Sequence, residues 1–366
     1  MTQTQHAENK RRSKTAVDET VLFVGDVGGT NARFSVFAAG ASDLSAEQAL
    51  AAVSLPTADF VDTPSMVREA LARLGAAQSP LSAETSAATG RSDTVTAGTL
   101  AAGVIAIAGP VSVGSGQLTN GVLKFDEAHL AELLGCPVRL VNDFYAVAAS
   151  INDATPVQSV GTKLAPIQDV RAVLGPGTGL GMGYLVPFAN DWHVFASEGG
   201  NADFAPVDAL ELELLGILQR SFAPVSIETL VSGRGLPNLY AALCELWGAP
   251  VEHTSAEAIS AAALSFGDSG SETGDTLSHK TLELFCALLG TAAGNFALNV
   301  GARGGVYLAG GILPRMQDFF SASEFRRRFD DRGALADFNQ QIPTFLVLDP
   351  EPGLTGAVRL ARRLLT

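Results

Sequence analysis

Two stretches of the chain share one hydrophobic pattern. Val21–Phe37 reads VLFVGDVGGTNARFSVF: an apolar run, a break at Gly25-Asp26, a turn through Gly28-Gly29-Thr30, then an alternating run from Arg33. Arg171–Val186, RAVLGPGTGLGMGYLV, repeats the arrangement with Thr178 among its turn glycines. Each reads as a β-hairpin around glycines able to take positive φ. Elsewhere, apolar residues at helical spacing predict helices over Thr63–Leu74, with Thr63 or Ser65 as cap, and over Phe125–Leu134, Ala146–Ile151, Asp208–Arg220, Ser255–Gly267, Thr281–Val300 and Gly353–Leu365. The helix over Thr281–Val300 is apolar nearly all round and therefore buried. The closing helix is amphipathic, with Arg359, Arg362 and Arg363 towards solvent. Short apolar runs predict strands at Gly103–Ala108, Val138–Val141, Asp191–Phe195, Gly304–Ile312 and Ile342–Leu348. Gln78–Gly98 reads as a loop insertion and Gly267–Asp275 as a flexible stretch.

Strands alternating with helices indicate an α/β architecture, in which ligands gather at the carboxyl ends of strands. Asp26, Asn120, Asn142 and Asp143 lie just past apolar strands or in the connections after them. They are candidates to converge on one cleft. A glycine turn aims backbone N–H groups at a phosphate, and Asp26 beside it is placed to hold the accompanying metal. Asn142-Asp143 also suits a helix N-cap, although capping needs only one of the two. Ser197–Pro206, SEGGNADFAP, sets Glu198, Asn201 and Asp203 around two glycines whose backbone must approach something closely. Glu228 falls in a short helix within Val225–Gly235, capped by Ser226, and by itself reads as solvated surface. Gly310-Gly311 form a third glycine turn, suited to an adenosine or ribose. Neither G-x-x-x-x-G-K-[ST] nor G-x-G-x-x-G occurs, so P-loop and Rossmann readings lack their fingerprints.

At 366 residues the chain suits two domains, each with its own core. A net charge of −14 argues against a nucleic-acid or anionic-membrane surface, but not against a nucleotide held by a local cradle. Cys136, Cys244 and Cys286 have no metal-ligand spacing and are too few for a disulfide framework, which indicates a reducing cytoplasm. The apolar run around Leu100–Ala108 is far short of a membrane span. Residues 1–20 read as a disordered, solvated tail with a basic cluster at Lys10, Arg11, Arg12 and Lys14. Partner or nucleic-acid binding by those four charges is the lesser alternative.

Together the motifs GDVGGTNARF, IAGPV with LTN, NDFYAVA, GPGTGLG, EGGNADFAP, SIETLVSGRGLPNLY and GGVYLAGGILPR resemble bacterial glucokinases of the hexokinase/actin-like superfamily, in order and over nearly all of Val21–Leu365. The resemblance implies a two-domain, ribonuclease H-like α/β fold with a sugar cleft between domains. The small domain would comprise residues 21–152 with 350–366, and the large one residues 153–349. It implies glucose, ATP and Mg²⁺ as ligands, and a homodimer in the cytoplasm. Asp143 matches the catalytic base. Asn120, Asn142, Glu198, Asn201 and Glu228 fall with it at the sugar positions. Asp26, Gly28, Gly29, Thr30 and Asn31 match the first phosphate loop, with Asp26 reaching the metal through water. Gly177, Thr178 and Gly179 match the second loop, and Gly310 and Gly311 the nucleotide-side turn.

Two positions depart from the family pattern. Asn201 stands where the family usually has a His after EGG, and LTNGVLKF lacks the Trp usual after the asparagine. A neutral hydrogen bond lost at Asn201 would cost about 0.5–1.5 kcal/mol, re-tuning the site without abolishing it. Kinases of other hexoses or amino sugars, and a non-catalytic sugar sensor, are the alternatives this leaves. A cysteine-rich metal site and a helix-turn-helix domain, which sister kinases and repressors carry, have no counterpart in the sequence.

Overall fold

The computed structural model describes residues 19–40, 48–75, 98–119, 121–189, 191–265 and 276–366. Most of the tail, nearly all of the expected Gln78–Gly98 loop, Asn120 and the Gly267–Asp275 stretch lie outside the described residues. Contacts divide the chain into two compact units: the residues through Ser150 together with Glu351–Thr366, and Ile151–Pro350.

The first unit is built on a five-stranded sheet of order β3-β2-β1-β4-β8. Its strands are β1 (Glu19–Val27), β2 (Asn31–Ala38), β3 (Ala51–Pro56), β4 (Gly98–Ile107) and β8 (Val138–Asn142). The first three are antiparallel; β4 and β8 run parallel to β1. Along the chain between β4 and β8 comes a small sheet of β5 (Val111–Ser112), β6 (Ser115–Gln117) and β7 (Lys124–Asp126). Helix α1 (Thr63–Leu74) packs Met66, Val67, Ala70 and Leu74 into the core. Its cap is Asp62, whose Oδ1 accepts the Ser65 N–H at 2.8 Å; Thr63 instead donates its hydroxyl to the Lys124 carbonyl. Helix α2 spans Glu127–Leu134, because Phe125 and Asp126 belong to β7 and Asp126 caps the helix at His129. Helix α3 is Asp143–Ala149. The C-terminal helix, Pro352–Arg363, returns to this unit and packs on α3, β1 and β4. Arg363 is exposed, but Arg359 is half-buried and donates to the Ser150 carbonyl, so that arginine does not face solvent as its spacing predicts.

The second unit repeats the strand plan. Its sheet runs β12-β11-β10-β13-β14-β9. The strands are β9 (Val157–Ser159), β10 (Arg171–Pro176), β11 (Leu180–Phe188), β12 (Asp191–Ser197), β13 (Gly305–Leu308) and β14 (Thr344–Val347). Again a three-stranded antiparallel meander adjoins two parallel strands. The two glycine hairpins of the sequence are thus the β1–β2 and β10–β11 turns of two like sheets. Helices α4 (Ala209–Leu218), α5 (Gly235–Leu246), α6 (Ala256–Ser265) and α7 (Thr276–Val300) enclose this unit's core. By length and composition α7 is apolar enough to cross a membrane, contrary to the estimate from Leu100–Ala108. Within its most apolar window it is 83% buried, as the core helix of a globular unit.

Candidate active site

In the first unit, strand register fixes the site. Val27 of β1 pairs with Ile107 of β4, and Ile107 pairs with Asn142 of β8, in parallel ladders. Three carboxyl ends therefore finish in one row, and two inter-strand spacings put Val27 about 10 Å from Asn142. The Gly28–Asn31 turn leaves one end of that row and α3 leaves the other. Within the turn the Gly28 N–H donates to the Asn31 carbonyl at 2.9 Å. Thr57 braces it from outside, its hydroxyl donating to the Gly28 carbonyl at 3.0 Å and its N–H to the Thr30 carbonyl. Gly29 and Thr30 are exposed at the tip. Neither Gly28 nor Gly29 has positive φ, contrary to the expectation from the hairpin pattern.

Asp26 pairs across the hairpin with Arg33, and its carboxylate lies against Gly353 in the first turn of the C-terminal helix. Burial pushes its pKa up; Arg33 opposes that shift and Glu351 reinforces it. Arg33 and Glu351 are themselves 3.9 Å apart.

Asn142 and Asp143 divide two tasks. Asn142 is the cap: its Oδ1 accepts the N–H groups of Phe144 and Tyr145 at 2.9 and 3.1 Å, and its Nδ2 donates to the Gly109 carbonyl at 3.2 Å. Asp143 is the first residue of α3, and its Oδ1 shares the Phe144 N–H at 2.8 Å, while the Tyr145 N–H goes to Asn142 alone. The Thr119 N–H bonds to the Ala108 carbonyl, which leads the chain from the end of β4 towards Asn120, itself outside the described residues.

In the second unit the polar turns again meet at carboxyl ends. The Gly177 N–H closes the β10–β11 turn on the Gly179 carbonyl at 2.8 Å, leaving Thr178 exposed. Gly310 follows β13 with φ +96°, where a side chain would come within 2.7 Å of the Pro176 carbonyl. Around Gly177 and Gly311, by contrast, a Cβ would meet nothing within 4 Å. Glu228 sits in the Ile227–Thr229 turn, which Ser226 and Thr229 lock by a 3.2 Å bond from the Ser226 N–H to Oγ1. The Gly199–Asn201 turn packs on this turn and on β11, so Glu198, Asn201 and Glu228 belong to one neighbourhood. One contact had no sequence signal of its own. Gly233 donates its N–H to the Gly177 carbonyl at 2.7 Å, bringing Ser232–Gly235 and the start of α5 to the glycine turns.

The donor set suits a phosphorylated ligand with a hard cation. In the second unit, open space at Gly177 and Gly311 and the exposed Thr178 suit phosphate oxygens; in the first, the exposed Gly29-Thr30 tip stands close along the chain to the Asp26 carboxylate. No cluster of three His, Cys, Asp or Glu side chains occurs among the described residues, so a divalent ion would take most of its ligands from phosphate and water. Burial pushes the Cys136 thiol up to about 11 and the Cys286 thiol up to about 12.

Comparison with known proteins shows the family. The family model described as Glucokinase matches residues 23–364. The glucokinase of Hahella chejuensis is 37% identical over 337 residues, covering 91% of this chain and 94% of that one. The Marinobacter nauticus glucokinase is 35% identical over 343 residues, covering 93% and 96%. A crystal structure of a glucokinase from an Antarctic psychrotroph superposes with a TM-score of 0.74 at 31% identity, covering 94% of this chain and 99% of that one.

Proposed function

Since the chain belongs to the glucokinase family, we propose that it transfers the γ-phosphoryl group of ATP to the 6-hydroxyl of D-glucose, with Asp143 as general base. The observation that carries the mechanism is the division of labour at the start of α3. Asn142 is the N-cap, and Asp143, whose Oδ1 shares the Phe144 N–H, opens α3 at the carboxyl end of β8. There Asp143 accepts the proton of the attacking hydroxyl as its oxygen bonds to phosphorus, while the β–γ bridging oxygen leaves with ADP. General-base assistance of this kind is worth ~10²–10⁴-fold.

Asn120, Asn142, Glu198, Asn201 and Glu228 hold the remaining hydroxyls. Each hydroxyl both donates and accepts, which carboxylates and amides satisfy at fixed positions. The Gly28–Asn31 and Gly177–Gly179 turns present backbone N–H groups to the phosphates, and Gly310-Gly311 lie on the nucleotide side. Phosphoryl transfer asks mainly for positioning and charge neutralisation. Mg²⁺, reached by Asp26 through water, would supply the neutralisation of phosphate charge. We further propose a cytoplasmic homodimer, which light scattering checks.

Purified protein with glucose and MgATP, assayed by ADP formed beside mannose, fructose and glucosamine, tests the assignment. Turnover confined to glucose, and lost in Asp143→Ala, is the expected result. Turnover on another sugar alone would move the specificity, and Asn201 is the position to examine. Glucose binding without ADP formation would identify a sensor.

A further inference from the structure

We infer that the C-terminal helix is a positioning element for the reaction, acting through Gly356 and Arg359 on Asp143 and through Gly353 on Asp26. The inference rests on the roles proposed above for those two aspartates. Gly353, Gly356 and Arg359 recur every third residue and so form one stripe along the helix. Each meets a different piece of the catalytic framework. A Cβ on Gly353 would lie 3.4 Å from Asp26 Oδ2. A Cβ on Gly356 would lie 1.7 Å from the Ala146 carbonyl oxygen and 3.1 Å from the Ser150 nitrogen, two atoms that α3 joins in its last hydrogen bond. Arg359 donates to the Ser150 carbonyl, at the residue that ends α3.

Helix geometry makes this stripe a ruler. At 1.5 Å per residue, Gly353 and Gly356 stand about 4.5 Å apart along the axis, and Arg359 the same distance beyond. The short α3, Asp143–Ala149, is thereby gripped at its middle and its end by the same rigid rod that abuts Asp26. What Gly356 touches is backbone, which cannot swing aside as a side-chain tip can. Any group larger than hydrogen there must translate α3, and Asp143 is its first residue. Displacing a reacting group by about 1 Å costs on the order of 10²-fold in rate. Buried Leu354, Val358 and Leu360 anchor the helix on the core, so adding one methyl at residue 356 shifts the neighbour rather than detaching the rod.

The test compares Gly356→Ala, Arg359→Met, Arg359→Lys and Asp143→Asn in the full-length protein. The readouts are kcat, KM for MgATP, glucose affinity by calorimetry and the melting temperature. Gly356→Ala is expected to lower kcat about a hundredfold with KM for MgATP changed less than twofold. Arg359→Met is expected to lower kcat about tenfold, with part of the loss restored in Arg359→Lys. Asp143→Asn should abolish turnover while glucose still binds, which fixes the role of Asp143 independently. Should Gly356→Ala fail to fold, the Arg359 pair decides. The inference is overturned if Asp143→Asn is inactive yet the folded helix variants keep wild-type kcat, or lose kcat only in step with melting temperature. Wild-type turnover in Asp143→Asn would overturn the base assignment and the inference with it.

Discussion

The carboxylate of Glu228 accepts the backbone N–H of Leu180 at 2.8 Å, reaching it across the bare Cα of Gly179. A group proposed for the sugar is thereby fastened to the turn proposed for the phosphates. A side chain at position 179 would stand 2.4 Å from Glu228 Oε2 and force the two apart. Glu228→Gln keeps an acceptor for Leu180 and should raise the glucose KM with little change in melting temperature. Glu228→Ala also strands the buried Leu180 N–H, at a cost of about 1–3 kcal/mol, and should lower both affinity and melting temperature. Gly179→Ala is expected to raise the glucose KM as Glu228→Gln does. Steady-state kinetics beside thermal melts resolve the three.

Asp26 is held at a cost. Burial raises its pKa above the ordinary 3.8, so the folded state binds the proton more tightly than the unfolded chain. Its ionisation therefore subtracts stability above the folded pKa, and the loss disappears as pH falls below 3.8. Asp26→Asn should melt higher than wild type at pH 7 without ligand, converge with it at acid pH, and lose MgATP turnover. Thermal melts across pH 3–8, with an assay at neutral pH, test all three statements.

The turn glycines separate into two kinds. Gly310→Ala places a side chain at φ +96° against the Pro176 carbonyl and should lower the melting temperature. Gly177→Ala meets open space in the protein alone and should fold normally, while its methyl raises KM for MgATP by crowding the phosphates. A melt and an ATP titration on each variant distinguish fold from ligand.

Asn142→Ala removes a cap and should cost about 0.5–2 kcal/mol of stability as well as turnover. Asn142→Asp restores the acceptor to Phe144 and Tyr145 but not the donor to Gly109, so it should recover stability before activity. Chemical denaturation paired with kcat measures that separation.

Those residues also show what the sequence discloses. The hairpins around Gly28 and Gly177 were legible because glycine turns between apolar runs are local patterns; the strand-end position of Asp26 followed from the first hairpin, and that of Asn142 from the apolar run Val138–Val141. Strand β3 was not legible: Ala51, Val53 and Leu55 share its inner face, but Ala52 and Pro56 on the outer face are apolar too, so the alternation in burial is not one of residue type. Strands β5 to β7 run two or three residues, too short for a period. The cap of α1 is Asp62 and neither Thr63 nor Ser65, because all three are competent caps and only the fold reveals that the Thr63 hydroxyl is engaged by Lys124. Gly233 stood within the motif SIETLVSGRGLPNLY, but its contact was not legible, since its partner Gly177 is distant in sequence. The solvent-facing reading of Arg359 failed likewise, because its acceptor, Ser150, belongs to an element about two hundred residues upstream.

That last separation has a consequence for synthesis. A ribosome makes the strands of the first unit early and the helix that braces Asp26 and α3 only after Ile151–Pro350 has emerged. At ~5–20 residues per second, roughly 10–40 s pass in which the second unit is able to fold while the first still lacks its closing piece. Catalytic competence thus waits on a segment made after the whole second unit. A nascent chain stalled between Asp143 and Pro352 holds both proposed aspartates but not the rod that sets them.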